Sequence, residues 1–283
     1  MSNGTSWQEA NQRYLTAELA LVSHALERHA KRALAEGDRR SDPPGPPDPM
    51  LVAVLDEAAA AMPAPPALEA VVQRFGMSPF ERDVLLLAAG PELDSAFAAR
   101  CAAAQGDPAL RLPTFNLALA ALPGAHWSAL LPSAPLRYWR LVELDSRESL
   151  TLAPLRIDER VLHHLAGLRH MDERLSSLIR PLPEQGEPIP SHRELAHRIA
   201  KAWAEAAGCE TLPGVQLCGG DSEACRAIAA AACGLVGLDA YVLSAAVVPT
   251  APVELEGLIR LWEREVALTR GALLIDAEDL DGN

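Results

Sequence analysis

The sequence predicts a mixed fold in two parts: a mainly α-helical N-terminal region carrying a small β-hairpin, followed by a partial α/β domain. Three observations lead there. Helical periodicity and helix caps dominate residues 7–122, the period shifts towards two over residues 136–152, and from Ser191 onward helices alternate with short apolar strands. Proline-rich breaks at 37–49 and 181–190 separate these stretches.

Ser6 and Glu9 make a capping box, and a helical pattern runs from Trp7 to about Glu36. Leu15, Leu19, Val22, Leu26 and Ala33 recur at spacings of four and three, with His29 in one slot, which makes a single apolar seam. Such a seam either pairs with another copy or lies along the rest of the chain. Arg28, His29, Lys31, Arg32, Arg39 and Arg40 gather near the end of this helix, where cations complement its dipole. Gly37–Pro49 (GDRRSDPPGPPDP) can continue neither helix nor ladder and reads as a linker.

Met50–Ala61 reads as a short Ala-rich helix broken by Met62–Pro66, and Ala67–Phe75 as another that stops at Gly76. In Met77–Gly90, Ser78 is a natural N-cap, Pro79 suits the first helical position and Glu81 completes a capping box. The centre of that segment, Val84–Ala89, is apolar on every side, which predicts a buried helix. Glu92–Ala104, with Leu93, Phe97 and Cys101 on one face, and Pro113–Leu122 follow as helices. Leu136–Leu144 and Ser149–Leu152 read as two strands joined by a polar turn at Asp145–Glu148, with a helix over Ile157–Leu168. Helices, a small hairpin and another helix form the order of a winged-helix module, a fold that docks proteins as well as DNA.

After the second linker, Pro181–Pro190, the order is helix (His192–Ala207), strand (Val215–Cys218), helix (Ser222–Leu235), strand (Tyr241–Leu243), helix (Val253–Thr269) and strand (Ala272–Ile275). This predicts a parallel α/β unit with right-handed crossovers, its apolar ALLI strand covered on both faces. The domain plan is therefore a long helix over 1–40, a linker with a short helix over 41–66, a helical and winged-helix-like domain over 67–180, a linker over 181–190, and a truncated α/β domain over 191–283.

VQLCGGDSEACR (Val215–Arg226) has the strand, glycine turn and helix start of a P-loop nucleotide-binding domain, and ALLIDAED (Ala272–Asp279) looks like the acidic strand of such a domain. A working loop, GxxxxGK[ST], needs glycines for close backbone approach, a Lys for phosphate charge and a hydroxyl for magnesium. Aligned on Gly219, with Gly220 beside it, the chain has Ala224, Cys225 and Arg226 at the other three fixed positions. Asp276 stands where a carboxylate would hold magnesium, but Ala277 replaces the Glu that would orient water, and Glu278 is displaced by one residue. Gly219, Gly220, Ala224, Cys225, Arg226 and Asp276 are thus candidates for residual ATP/Mg binding without hydrolysis, with no catalytic residue among them. A P-loop ATPase of this class also needs further strands, a polar sensor residue, an arginine finger and a helical lid. Their absence before Asn283 predicts a fragment of a longer polypeptide or an open sheet edge covered by a partner.

The net charge of −13 argues against nucleic acid as a partner, since phosphate neutralisation needs a basic face. Residues 191–283 alone carry 7 basic and 14 acidic groups. The five cysteines form no CxxC pair and, with the histidines, no zinc pattern, which suits reduced thiols in a cytoplasmic protein. The N-terminus lacks a charged-then-apolar leader, and no apolar run reaches the ~18 residues of a membrane span.

In order, MSPFERDVLLLAAGPELD, PLRYWRLVEL, LTLAPLRIDERVLHHLAG, LWEREVAL and ALLIDAEDLD resemble the N-terminal portion of AAA+ ATPases encoded with bacterial contractile injection systems. The resemblance runs from about Ala67 over nearly all of the remaining chain. It implies a winged-helix-like region before a degenerate AAA+-like domain, with an intact ATPase domain further on in the full polypeptide. It also implies a role in assembling the injection particle or loading its cargo, through protein partners and self-association. Two other readings stay open: a nucleotide-sensing adaptor that binds ATP, and a winged-helix regulator that binds DNA through residues 78–122 and the Arg137–Arg140 strand.

Overall fold

The computed structural model describes residues 6–36, 45–144, 149–183, 189–206, 212–219 and 221–278. The chain divides into two compact units, Met1–His170 and Met171–Asn283.

The first unit is organised along α1 (Trp7–Glu36). Its capping box closes in both directions: the Ser6 amide donates to Glu9 Oε2 and the Glu9 amide to Ser6 Oγ, each at 3.3 Å. Leu15, Leu19, Val22 and Leu26 are buried, each worth roughly 1.5–3 kcal/mol. The seam therefore packs in cis, against α2 (Pro49–Ala60), α4 (Pro79–Leu93), α5 (Phe97–Gln105) and α6 (Phe115–Ala121). It stops after Leu26: Ala33, placed on it by spacing, is exposed, as is Leu34 beside it.

Between α2 and α4, α3 (Ala67–Phe75) ends on Gly76, whose φ of +63° suits a residue without a Cβ. The expected capping box opens α4, with the Ser78 amide donating to Glu81 Oε2 at 2.8 Å and the Glu81 amide to Ser78 Oγ at 3.2 Å. Every residue from Val84 to Gly90 is buried, as a helix apolar on all sides requires. Gly90 lets α5 approach, because a Cβ there would lie 2.3 Å from the Phe97 ring.

The hairpin departs from its expected register. Pro135 starts a helical turn, α7 (Pro135–Tyr138), where a strand was expected, and Arg140 follows at φ +51°. Only Val142–Leu144 remains as β1, and it pairs antiparallel with β2 (Leu155–Ile157), not with 149–152. The observed register, Val142 opposite Ile157, buries Val142, Leu155 and Ile157, whereas Leu150 and Leu152 are exposed. The expected turn at Asp145–Glu148 lies outside the described residues. Asp158 then caps α8 (Glu159–Leu165), shorter than the helix expected over 157–168.

In the second unit, α9 (Glu173–Ser176) and β3 (Ile179–Pro181) precede α10 (Pro190–Glu205), α11 (Ser222–Val236), β4 (Asp239–Ser244), α12 (Pro252–Leu268) and β5 (Gly271–Asp276). The sheet order is β3-β4-β5. β4 and β5 are parallel, with Tyr241 opposite Leu273, as the alternating pattern required. β3 is antiparallel to β4, so the sheet is mixed, and Pro181, which has no N–H to donate, is tolerated on that edge strand.

Val215–Cys218 forms no strand: residues 212–218 have no ladder partner, and Val215 is 42% exposed. Apolar composition alone does not hold a strand without a neighbour to complete its hydrogen bonds. Leu217 packs instead against the apolar group of Ala196, Ile199, Ile228 and Ala232 between α10 and α11. A second group joins Leu175, Ile179, Leu243 and Leu261. Ile275 is 58% exposed, so the ALLI strand is covered only in part.

Candidate functional site

The residues singled out around the glycine turn sit at the start of α11. Gly219 is exposed at φ +82°, and Gly220 lies outside the described residues. Asp221 is the N-cap, and its Oδ1 accepts the Ala224 amide at 2.6 Å. A side-chain carboxylate thus occupies the place, at the positive end of the helix dipole, where an external anion would bind. Cys225, which alignment on Gly219 sets against the Lys of a GxxxxGK[ST] pattern, is half-buried, and its thiol donates to the Gly219 carbonyl at 3.7 Å.

One turn further on, Arg226 reaches β5. Its Nε donates to Asp276 Oδ2 at 3.0 Å, and its Nη2 donates to the same oxygen. Ser222 Oγ donates there too, at 3.0 Å, and the Glu278 amide donates to Asp276 Oδ1 at 3.2 Å. The Arg226 hydrogen bond, above all, holds the Asp276 carboxyl below the usual carboxylate range. Ala277 and Glu278 are exposed, so the displaced carboxylate faces solvent. Fifty residues apart in sequence, Arg226 and Asp276 form a latch between α11 and β5. A cavity of about 480 Å³ beside it is lined by Arg180, Val242, Ser244 and Val247 as well as by the latch.

Two further charge centres are buried. In the first unit, Arg82 on α4 pairs with Glu18 of α1, with Glu69 of α3 at 3.1 Å and with Asp83 at 3.3 Å, while Tyr14 Oη donates to Glu69 at 2.9 Å. Burial opposes the Arg82 charge, but Glu18 and then Glu69 outweigh it and hold the guanidinium above its ordinary value. Burial, followed by Glu18 and Glu69, pushes the Tyr14 phenol up. Burial also raises the Asp83 carboxyl, to about 6, against the pull of Arg82.

In the second unit, Asp172 accepts from Arg174 Nη2 at 2.8 Å and from Arg264 on α12, a side chain with no exposed surface. Burial would raise Asp172, but hydrogen bonds from Arg174 and the charge of Arg264 outweigh it and hold the carboxyl low. Among the described residues, no group of three or more His, Cys, Asp or Glu side chains could hold a metal ion. No helix among the described residues is long and apolar enough to cross a membrane.

Sequence reading missed the partners that matter here. Asp221 was not singled out, although an Asp directly before a helix is a cap signal, and the convergence of Ser222 and Arg226 on Asp276 depends on how α11 lies against β5.

Helices around α4, a short antiparallel hairpin and a closing helix place the first unit in the winged-helix class. A profile of the family "winged helix domain, variant" matches residues 3–179, and the chain belongs to that family. No curated protein and no solved structure matches it. A winged-helix domain suits a scaffold or a DNA-binding role.

Proposed function

We propose that this chain is a protein-binding scaffold, the N-terminal portion of a AAA+ ATPase that supports assembly or cargo loading of a contractile injection system. It has no nucleotide chemistry of its own in this reading, and it works in the cytoplasm. The observation that carries the reading is the closed set of contacts at the start of α11. Asp221 holds the Ala224 amide, while Ser222 and Arg226 are both spent on Asp276. A magnesium nucleotide does not fit such a site. Its phosphates would meet the Asp221 carboxylate, and its metal would have to displace an arginine from Asp276.

Protein, rather than DNA, as the partner is favoured by two further facts. α4, within the stretch considered for DNA contact, is buried around its centre and cannot enter a groove. Arg137 is turned inward, its Nη1 donating to the Leu130 carbonyl at 2.6 Å.

The test is ATP turnover by the purified chain, with duplex binding measured across a salt series. No turnover and no salt-sensitive duplex binding are expected. Turnover abolished by Asp276→Ala would sink the scaffold reading, and tight, salt-dependent duplex binding would replace it with a DNA-binding one.

A further inference from the structure

Positive charge in the first unit converges where α8 ends. Arg160, His163 and His164 stand at i, i+3 and i+4 and so share one face of α8. α3 packs on α8 and brings Arg74 in its last turn. The chain leaves α8 through Gly167, at φ +82°, into exposed Arg169 and His170, and the His170 ring stands edge-on to His163 with centroids 4.9 Å apart. Arg160 is buried, so the cluster has a charged floor beneath an exposed rim of Arg74, Arg169 and His170. The helix dipole accounts for histidines in the last turn of α8, but Arg169 and His170 lie beyond that turn and Arg74 arrives from another helix.

We propose that the exposed rim of Arg74, Arg169 and His170, with buried Arg160 beneath it, docks an acidic peptide segment of a partner protein. The proposal rests on the scaffold reading and gives its partner a chemistry. The local field supports it: burial first, then Arg160, Arg74 and Arg169, hold His164 down at about 4, so cations dominate around the ring. Guanidinium groups take carboxylates in paired, charge-assisted hydrogen bonds, and several carboxylates along a flexible segment can meet several arginines at once. A duplex is a poorer match. The patch is confined to helix ends, and it sits in a chain of net charge −13 that repels a long polyanion.

The test uses the full chain and a fluorescent Glu/Asp-rich peptide, with anisotropy read at low and high salt. Arg74→Glu with Arg169→Glu should weaken binding about tenfold or more, whereas Arg111→Glu, which matches the charge change of Arg169→Glu at another exposed site, should leave it nearly unchanged. Arg169→Glu alone should give a smaller loss, and it decides the matter if the double variant melts early. Peptide that fails to bind, or that Arg111→Glu weakens as much, overturns the proposal, as does a duplex that binds more tightly than the peptide. A chain that ignores the peptide and also lacks ATP turnover loses this docking site but keeps the scaffold reading. ATP turnover lost in Asp276→Ala removes the scaffold reading whatever the peptide does.

Discussion

The two units bury charge in opposite arrangements. In the first, one guanidinium, Arg82, answers to Glu18, Glu69 and Asp83; in the second, one carboxylate, Asp172, answers to Arg174 and Arg264. The difference shows in their acids. Asp83 is pushed up because burial wins over its single cation, while Asp172 is held down because two cations win over burial. Burial alone therefore does not decide the sign; the ratio of cations to carboxylates does.

The sharpest way to break this contrast is to remove each hub. Arg82→Ala should destabilise the first unit by about 3–5 kcal/mol, since Glu18 would be left buried without its cation. Hydrogen exchange should then rise at α1 and α4 amides and stay unchanged in β4 and β5. Asp172→Ala should cost about 3 kcal/mol and reverse that pattern, exposing α12 and the sheet while α1 keeps its protection. Equal effects in both units would mean that the two centres are not independent.

Acid titration sharpens the comparison. Asp83 has a folded value above its unfolded one, so its contribution is fully present below the unfolded value and is lost as pH rises through about 6. Asp172 has a depressed value, so its contribution is present above the unfolded value and is lost as pH falls through the folded one. Asp83→Asn should flatten the decline of the first unit over that range, a difference on the order of 2 kcal/mol in denaturant titrations at acid and neutral pH. An unchanged pH profile would show that Asp83 is not the responsible group. The smallest effect belongs to the latch. Ser222→Ala should cost about 0.5–1.5 kcal/mol, read as a lower denaturation midpoint of the second unit.

Local signals carried much of this fold. The capping boxes at Ser6 and Ser78, the seam through Leu26 and the buried centre of α4 followed from spacing and residue type, because those contacts lie within a few residues of their cause. β4 and β5 were recognisable from their apolar runs. Val215–Cys218 has a comparable run and forms no strand, since strand formation depends on a neighbour that sequence does not display. The hairpin was placed too early because Pro135 converts an apparent strand start into a helical turn. At the site, the departures from a GxxxxGK[ST] pattern were legible at Ala224 and Cys225. The pairing of Arg226 with Asp276 was not, nor were Arg82 with Glu18 and Asp172 with Arg264, which meet across 64 and 92 residues.

The position of α1 also has a consequence for how the chain is made. It leaves the ribosome before the helices it packs on, and Leu15, Leu19, Val22 and Leu26 bury themselves against helices that end at Ala121. At roughly 5–20 residues per second, the nascent seam stays bare for several seconds, long enough to need shielding by a holdase or the ribosome surface. Translation stalled before α4 should leave α1 open to protease, and release past residue 121 should protect it; early protection would show that α1 finds another cover first.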